Sequence, residues 1–324
     1  MELSTQFTSA LSVDTWDRLF RWREEGELQD RTVEGTWERV AVAIARHGPE
    51  ARAWASRYAD AFRSWHLLPD ARLLRSAGTS HRDLRIDSPR ATLNLGSFVA
   101  FQQAAAPFFD WQLFKGTARL AVRMLDDSLL AFPPSGAPGM NIGIMGFADA
   151  LAKLGIGYCD VRACEFAADI GITLSGACRG MSSELLLERG RYGRDAALPI
   201  AEAANRLQRH PQLTCVASQP NLAQFANQSS DALDPQTGSA WDLESRWSVA
   251  PATAPADPEQ MLLQQIEVRA RLQPWIDSPI NYPLVYSGPP PDPQTLSLCR
   301  ESAMDYGLPC PNFRKSELPI AGLG

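Results

Sequence analysis

The sequence predicts an α/β fold that begins with a helical region. Apolar and aromatic residues recur at three- and four-residue steps through residues 12–66, which is the spacing of packed helices. After residue 94, helical segments alternate with short apolar segments bounded by turn residues. Helix and strand repeated in this way favour an α/β barrel or a layered α/β domain over an all-α fold.

The first helices are marked by capping signals. Ser12 and Thr32 are each followed two residues later by an acidic side chain, as at helix starts. We therefore expect residues 1–66 to form a helical region around a core of large side chains, namely Trp16, Phe20, Trp37, Val40, Ile44, Trp54, Tyr58, Phe62 and Trp65. In residues 67–93, Pro, Asp and Gly interrupt short apolar runs, which predicts a crossing into an α/β domain over 94–324.

The α/β domain is expected to open with a long amphipathic helix over 109–132 that stops before Pro133 and Pro134. Its apolar side carries Leu113, Ala118, Ala121, Val122 and Leu125. In chain order we then expect a strand and helix over 141–158, a helix over 162–188, a strand in "QLTCVASQPN", a loop or lid over 227–258, a helix over 258–272 and a last helix in "QTLSLCRESAMDYG".

Composition narrows the function classes. The net charge is −6 and the basic residues form no stripe, which argues against binding to nucleic acid. No run approaches the roughly 18 apolar residues of a membrane span. The N-terminus also lacks the basic start and apolar stretch of a signal peptide. We therefore expect a cytoplasmic protein without membrane contact.

The six cysteines contain no CxxC pair and form no regular framework, so we expect free thiols and no metal site. Cys159 and Cys164 lie five apart, a spacing at which a disulfide or a soft metal pair could form but usually does not.

Several stretches resemble the large, catalytic subunit of ribonucleotide reductase, most closely its adenosylcobalamin-dependent branch. The resemblance is spread over "LSVDTWDRLFRW", "FRSWHLLPDARLLRSAGT", "LNLGSFVAF", "NIGIMGFADALAKLGIGY", "LTCVASQPNLAQFANQSSDALDP" and "ESAMDYGLPCPNFRK". The strand and helix of "NIGIMGFADAL" is nearly diagnostic for that family. The resemblance implies a partial, reductase-like α/β barrel behind the helical N-terminal region.

The sequence departs from the family where residues 80–93 alone join "AGT" to "NLGS". The family carries much of its barrel and its radical cysteine there. By the family's spacing, Arg82 stands at the position of that cysteine, with Ser80 and Leu84 at the flanking Asn and Glu positions. A thiyl radical requires sulfur and the 2′-hydroxyl chemistry requires a carboxylate base. The family's redox pair also has no counterpart in "TSHRDLRIDS" or "SELPIAGLG". We predict no cofactor; adenosylcobalamin is expected only if the family's chemistry persists.

The family's phosphate-binding segment corresponds to Ser218-Gln219-Pro220-Asn221, which lacks its glycine and loses one N–H at the proline. Binding of a nucleoside diphosphate is therefore doubtful. Ser218, Gln219 and Asn221, with Asn94 and Ser97 of "NLGS", are candidates for binding another small molecule. The alternative is an ordinary cap between a strand and a helix.

Cys215 is the first thiol to test for reactivity, because its strand would run toward the cavity of the resembled barrel. A buried thiol acting as a small apolar group is the alternative. His81 lies in the shortened crossing, where surface polarity explains it adequately. Asp126 and Asp127 could form a catalytic carboxylate pair, but we expect a solvated or capping pair.

Two functions remain open. The first is a non-catalytic ligand-binding, regulatory or assembly subunit that works with a full-length reductase or a pathway enzyme. The second is a repurposed enzyme of a specialised biosynthetic pathway, acting on a non-phosphorylated small molecule. A working reductase would need a cysteine from another chain. Because half a barrel exposes strand edges and apolar surface, we expect a homodimer or a heteromer.

Overall fold

The computed structural model describes residues 5–48, 50–80, 84–102, 106–135, 139–190, 207–236, 257–318 and 320. It begins with the helices α1 (Ala10–Leu19), α2 (Val33–Ala45) and α3 (Ala51–Arg63), which lie within the stretch where helices were predicted. Thr32 caps α2 as predicted. The predicted cap Ser12 is wrong: Ser9 caps α1, and Ser12 lies buried within the helix.

The three N-terminal helices enclose an aromatic core that reaches the later part of the chain. Phe225 belongs to the short helix α8 (Pro220–Phe225) and is fully buried. Its ring centroid lies 4.9 Å from that of Phe20 and 5.4 Å from that of Trp37. The helical region therefore fixes the position of α8, and α8 borders the candidate site described below.

The central sheet has three strands, β3 (Leu67–Pro69), β4 (Arg90–Asn94) and β7 (Asn141–Met145). β3 runs antiparallel to β4, and β4 runs parallel to β7 with Leu93 opposite Ile144. The predicted crossing thus contains β3, the helix α4 (Ala71–Ser76) and the start of β4.

The predicted strand in "QLTCVASQPN" is reduced to one parallel bridge between Ile142 and Thr214. The amide of Cys215 donates to the carbonyl of Ile142 over 3.0 Å. A Cβ at Gly143 would lie 2.6 Å from the carbonyl oxygen of Cys215, so this close approach requires glycine. In the described parts of the chain the strands form sheets of two or three members, and they do not close into a barrel.

Helices cover the sheet. The long helices α5 (Trp111–Ala131) and α7 (Val161–Arg189) are confirmed close to their predicted bounds, although Leu113 on the expected apolar side of α5 is exposed. The strand β7 leads directly into α6 (Phe147–Lys153), also as predicted. Two short antiparallel pairs complete this part of the fold. The strand β1 (Arg23–Glu24) pairs with β2 (Glu27–Leu28), and β5 (Val99–Ala100) pairs with β6 (Phe108–Phe109).

The last elements are α9 (Pro258–Leu272), β8 (Leu284–Tyr286), α10 (Pro293–Asp305) and β9 (Phe313–Lys315), with β8 parallel to β9. Most of the predicted loop or lid over 227–258 lies outside the described residues. Among the helices described, none combines the length and the apolar character that a membrane crossing needs.

Candidate functional site

A cavity of ≈ 280 Å³ lies between the start of α8, the segment 228–236 and strand β9. Its walls are polar and acidic. Three carboxylates line it and a single guanidinium faces them, together with amide and hydroxyl groups. The charged lining residues are Asp149, Asp231, Asp234 and Arg314.

The start of α8 forms one wall, and its hydrogen-bond donors are already engaged. Ser218 Oγ donates to Asp231 Oδ2 over 2.5 Å, and the backbone N–H of Gln219 donates to Asp231 Oδ1 over 2.6 Å. Gln219 Nε2 donates to Thr92 Oγ1 of β4 over 2.6 Å. Burial raises the pKa of Asp231, while the bonds from Gln219 and Ser218 oppose that change. An internal carboxylate therefore occupies these donors.

A second wall is built on the turn from β7 into α6. Gly146 adopts a φ of 69°, and a side chain there would collide with Asn94 Oδ1. The Gly146 amide donates to the carbonyl of Ser230, and the Ser230 amide donates to Asp149 Oδ2 over 2.8 Å. Asp149 Oδ1 accepts from Gln236 Nε2. These hydrogen bonds join the segment 228–236 to the turn between β7 and α6.

Asp234 is the cavity residue with the most unusual environment. Its side chain is nearly inaccessible, and Oδ2 accepts from Arg314 Nη2 over 2.9 Å. Oδ1 lies 3.7 Å from Arg269 Nη2 and has no hydrogen-bond partner among the described residues. Burial raises the pKa of Asp234 to about 7, although Arg269 and Arg314 act to lower it. A carboxyl group that titrates near neutral pH at a cavity is a candidate for proton transfer.

Of the binding residues predicted from the sequence, three lie near the cavity and two do not. Ser218 and Gln219 contact the cavity wall indirectly, because both donate hydrogen bonds to Asp231. Asn94 is buried nearby, and its Oδ1 accepts from Ser229 Oγ over 3.4 Å. Asn221 is exposed on α8. Ser97 Oγ donates to the carbonyl of Asn94 and so supports the turn after β4.

Cys215 lies half-buried on the bridge to β7 and is not among the residues that line the cavity. All six cysteines are free thiols, and Cys159 and Cys164 are therefore not joined. Burial raises the pKa of each of these two thiols to about 11. The family-derived position Arg82 and the neighbouring His81 lie outside the described residues.

Asp231, Asp234 and Arg314 were missed by the sequence interpretation. Both carboxylates fall in a polar, proline-bearing segment that was assigned as a loop, and Arg314 lies in a short strand near the end of the chain. The available signal was the quoted "SSDALDP", which places two acidic residues directly after the segment that resembles a phosphate loop.

The expectation of a solvated or capping pair at Asp126 and Asp127 is wrong. Both carboxylates are buried in the interior of the molecule. Arg189 Nη1 donates to both, at 2.5 Å and 2.7 Å, and Arg209 Nε donates to Asp126 over 2.7 Å. Tyr58 donates to Asp127 over 2.5 Å. We call these five residues and His210 the closed cluster.

Ser182 adjoins the closed cluster, and with His210 and Asp126 it forms the hydrogen-bonded sequence of a hydrolytic triad. Ser182 Oγ lies 3.2 Å from His210 Nδ1, and His210 Nε2 lies 2.9 Å from Asp126 Oδ1. Burial lowers the pKa of His210, so the ring is neutral, donates to Asp126 and accepts from Ser182. All three side chains are buried and none lines the cavity. Among the described residues, Ser182 is therefore fully buried and apart from the cavity, which does not place it to meet a substrate there.

Residues 90–208 match the family model for the ribonucleotide reductase barrel domain. Over 147 residues, the chain is 31% identical to the vitamin B12-dependent ribonucleoside-diphosphate reductase of Mycobacterium tuberculosis strain H37Rv. The aligned region covers 43% of this chain and 20% of that protein. Over 115 residues, it is 34% identical to the ribonucleoside-diphosphate reductase subunit alpha of Chlamydia trachomatis serovar D, or 33% of this chain and 11% of that protein.

These matches span about a fifth or less of the relatives' own length. Of the charged residues that line the cavity, only Asp149 falls within 90–208. The likeness thus covers the β4 to α7 part of the chain, and the cavity lies mostly beyond it.

Proposed function

We propose that this chain, which is similar over residues 90–208 to the ribonucleotide reductase barrel domain, binds a small molecule without a phosphate group and does not itself reduce ribonucleotides. The observation that carries the proposal is the carboxylate of Asp231, which accepts from Ser218 Oγ and the Gln219 backbone N–H immediately before α8. The corresponding segment in the resembled family binds phosphate. Here an anion of the protein itself holds the same donors.

The electrostatics of the cavity support a neutral or cationic ligand. Asp149, Asp231 and Asp234 line the cavity, and the guanidinium of Arg314 is already paired with Asp234. A diphosphate in this space would face like charges at short range in a partly dry environment. A ligand with hydroxyl or amine donors would instead meet carboxylate and amide acceptors.

The thiols support the absence of reductase chemistry. No cysteine belongs to the described cavity lining. Burial raises the pKa of Cys159, Cys164 and Cys299 to about 11, which keeps each as an unreactive thiol at neutral pH.

The cavity does not fit adenosylcobalamin. Its ≈ 280 Å³ lies just below the roughly 300–1,000 Å³ that holds a drug-sized ligand, and a corrinoid cofactor is far larger. We therefore derive no step through that group.

Binding measurements test the proposal. We expect no heat of binding when ADP or CDP is titrated into the wild-type chain. Asp231→Asn removes one anionic charge from the start of α8 and should increase retention of ADP. Asp160→Asn, which changes an exposed cap at the start of α7, serves as the matched control and should leave ADP binding unchanged.

Turnover provides the decisive contrary result. Reduction of a ribonucleotide by the wild-type chain with adenosylcobalamin and a dithiol would overturn the proposal. So would wild-type binding of ADP that Asp231→Asn weakens. A non-phosphorylated small molecule that copurifies with the native chain, identified by mass spectrometry, would support it.

A second function, that of a repurposed enzyme, is favoured by Asp234. Its carboxyl group has a pKa of about 7 at the cavity wall, which suits a general acid or base near neutral pH. Once a ligand is identified, Asp234→Asn should retain binding while abolishing any conversion of that ligand. If the wild-type chain returns the ligand unchanged over long incubation, the binding function stands alone.

A further inference from the structure

We propose that two grooves on either side of helix α3 form a docking surface for an acidic polypeptide segment of a partner protein. The first groove, of ≈ 510 Å³, lies between α2 and α3 and is lined by residues that include Val42, Arg46, Arg52, Ala55, Ala59 and Arg63. The second, of ≈ 540 Å³, lies between α3, α5 and α7 and is lined by residues that include Trp54, Arg57, Arg119, Leu120, Arg123 and Met181.

The charge of this surface is opposite to that of the whole chain. The two grooves together carry six arginines and three carboxylates, Glu38, Asp60 and Glu184. The chain as a whole has a net charge of −6. The two grooves therefore carry a local excess of positive charge in a chain whose net charge is negative.

Each carboxylate of the grooves is already paired. Arg63 forms ion pairs with Glu38, with 3.0 Å between Nη2 and Oε1, and with Asp60, with 2.8 Å between Nη1 and Oδ1. Arg119 holds Glu184, and Arg123 holds Glu188 just beyond the second groove.

Three arginines remain without a carboxylate partner among the described residues. Arg52 and Arg57 project from α3 and are exposed. Arg46 donates to the carbonyl of Ala131 and lies over the ring of Phe132, neither of which neutralises its charge. These three guanidinium groups are therefore available for the carboxylates of a partner.

The floors of the grooves are suited to side chains of a polypeptide. Val42 is 60% exposed at the edge of the first groove, whose base is formed by alanines. In the second groove, Arg57 and Arg123 lie against the ring of Trp54, with their guanidinium carbons 4.5 Å and 4.1 Å from its centroid. The apolar floor beside Arg46 and Arg52 in the first groove, and the Trp54 ring beside Arg57 in the second, match a segment in which acidic and aliphatic residues alternate.

A nucleic acid fits this surface less well. Its binding depends on many phosphate contacts, whereas only three arginine charges are uncompensated here and the rest of the chain is acidic. The proposal therefore commits to an acidic polypeptide and treats nucleic acid as an outcome of the test.

Fluorescence anisotropy with defined probes tests the docking surface. The probes are a labelled peptide of alternating glutamate and leucine, the same peptide with lysine in place of glutamate, and a single-stranded RNA of equal charge. We expect the full chain to bind the acidic peptide in preference to the other two. The charge reversal Arg52→Glu with Arg57→Glu should weaken that binding by about tenfold or more, because two attractive contacts become repulsive.

The matched control is Arg75→Glu with Arg300→Glu, which reverses two exposed arginines outside both grooves and changes the net charge equally. It should weaken binding by only about twofold, through long-range charge alone. Thermal unfolding of both variants shows whether the fold is retained. Equal losses in the two variants, no loss in either, or tighter binding of the RNA would each overturn the proposal.

Discussion

Two groups of charged residues differ in what surrounds them. The closed cluster joins Asp126 and Asp127 to Arg189, Arg209, His210 and Tyr58 away from the cavity. The cavity group joins Asp231 and Asp234 to Arg314 and the start of α8, and it borders a space of ≈ 280 Å³.

Compensation distinguishes Asp126 of the closed cluster from Asp234 of the cavity group. Burial alone would raise the pKa of Asp126, but hydrogen bonds from His210 and Arg209 hold it well below its usual range. At Asp234 burial prevails over Arg269 and Arg314 and raises the pKa to about 7. A buried carboxylate with sufficient partners is fixed in one charge state, whereas one with too few partners can exchange a proton at neutral pH.

The closed cluster should show the largest effect on stability. Asp126→Ala leaves Arg189 and Arg209 partly uncompensated in the interior, and we expect a loss of about 3–5 kcal/mol in the free energy of unfolding. Urea denaturation followed by circular dichroism measures this loss.

Asp14→Ala is the surface control, since Asp14 forms an exposed pair with Arg18 one turn away. Its cost should be about 0.5 kcal/mol or less. A comparable small cost for Asp126→Ala would show that the closed cluster is not held by charge compensation.

The cavity group should show its effect through pH. Since the pKa of Asp234 is raised from 3.8 to about 7, the folded chain keeps a proton between these values that the unfolded chain has lost. Stability from this group is therefore present below pH 4 and is lost as the pH rises through 7. Between pH 5 and 7 the change should be about 2 kcal/mol, because the slope of about 1.4 kcal/mol per pH unit falls off as Asp234 ionises near pH 7.

Asp234→Asn should remove this part of the pH dependence of unfolding, and Asp14→Asn should leave it in place. Denaturation at several pH values between 5 and 8 makes the comparison. Identical slopes in the wild type and in Asp234→Asn would mean that Asp234 is ionised throughout, and the contrast with Asp126 would then disappear.

Sequence periodicity was sufficient for the long elements. The helices α5 and α7 were found close to their bounds because their apolar residues recur at helical spacing and their ends carry Pro or Gly signals. The start of α1 was misplaced, since Ser9 and Ser12 both suit a cap and only the packing of Ser12 against Gln224 decides between them.

The environment of a charged residue could not be obtained in this way. Asp126 and Asp127 read as a polar pair, because the arginines that accompany them into the interior lie more than sixty positions further along the chain. Asp231 and Asp234 lie in a stretch with the composition of a loop, and their burial depends on α8, α9 and β9 closing around them. Tertiary contacts, which no local pattern encodes, set the charge state of all four.

Ser182, which contacts His210 at the edge of the closed cluster, offers a smaller test. Ser182→Ala removes the donor to His210 Nδ1 and the acceptor of the His210 amide, so two buried polar groups lose a partner. We expect a loss of about 1–2 kcal/mol in the free energy of unfolding. Because Ser182 is fully buried, hydrolysis of p-nitrophenyl acetate should be the same in the variant and the wild type.

Ser183→Ala is the neighbouring control on the same helix, where the hydroxyl donates to two carbonyls nearer the surface. Ser183→Ala should lower the free energy of unfolding by less than Ser182→Ala does. A fall in ester hydrolysis specific to Ser182→Ala would reveal access to the closed cluster and would remove the distinction between the two groups.

The smallest effect is expected at the wall of the cavity. Thr92→Val removes the hydroxyl that accepts from Gln219 Nε2 and so frees the start of α8 from β4. We expect a cost of about 1 kcal/mol, since a neutral hydrogen bond is lost with little change of shape. Thr117→Val, which removes a bond within a single helix, is the control and should cost less. Thr92→Val should also lower the affinity for whatever ligand copurifies with the chain, because the wall depends on single neutral bonds. An unchanged affinity would place the ligand away from α8.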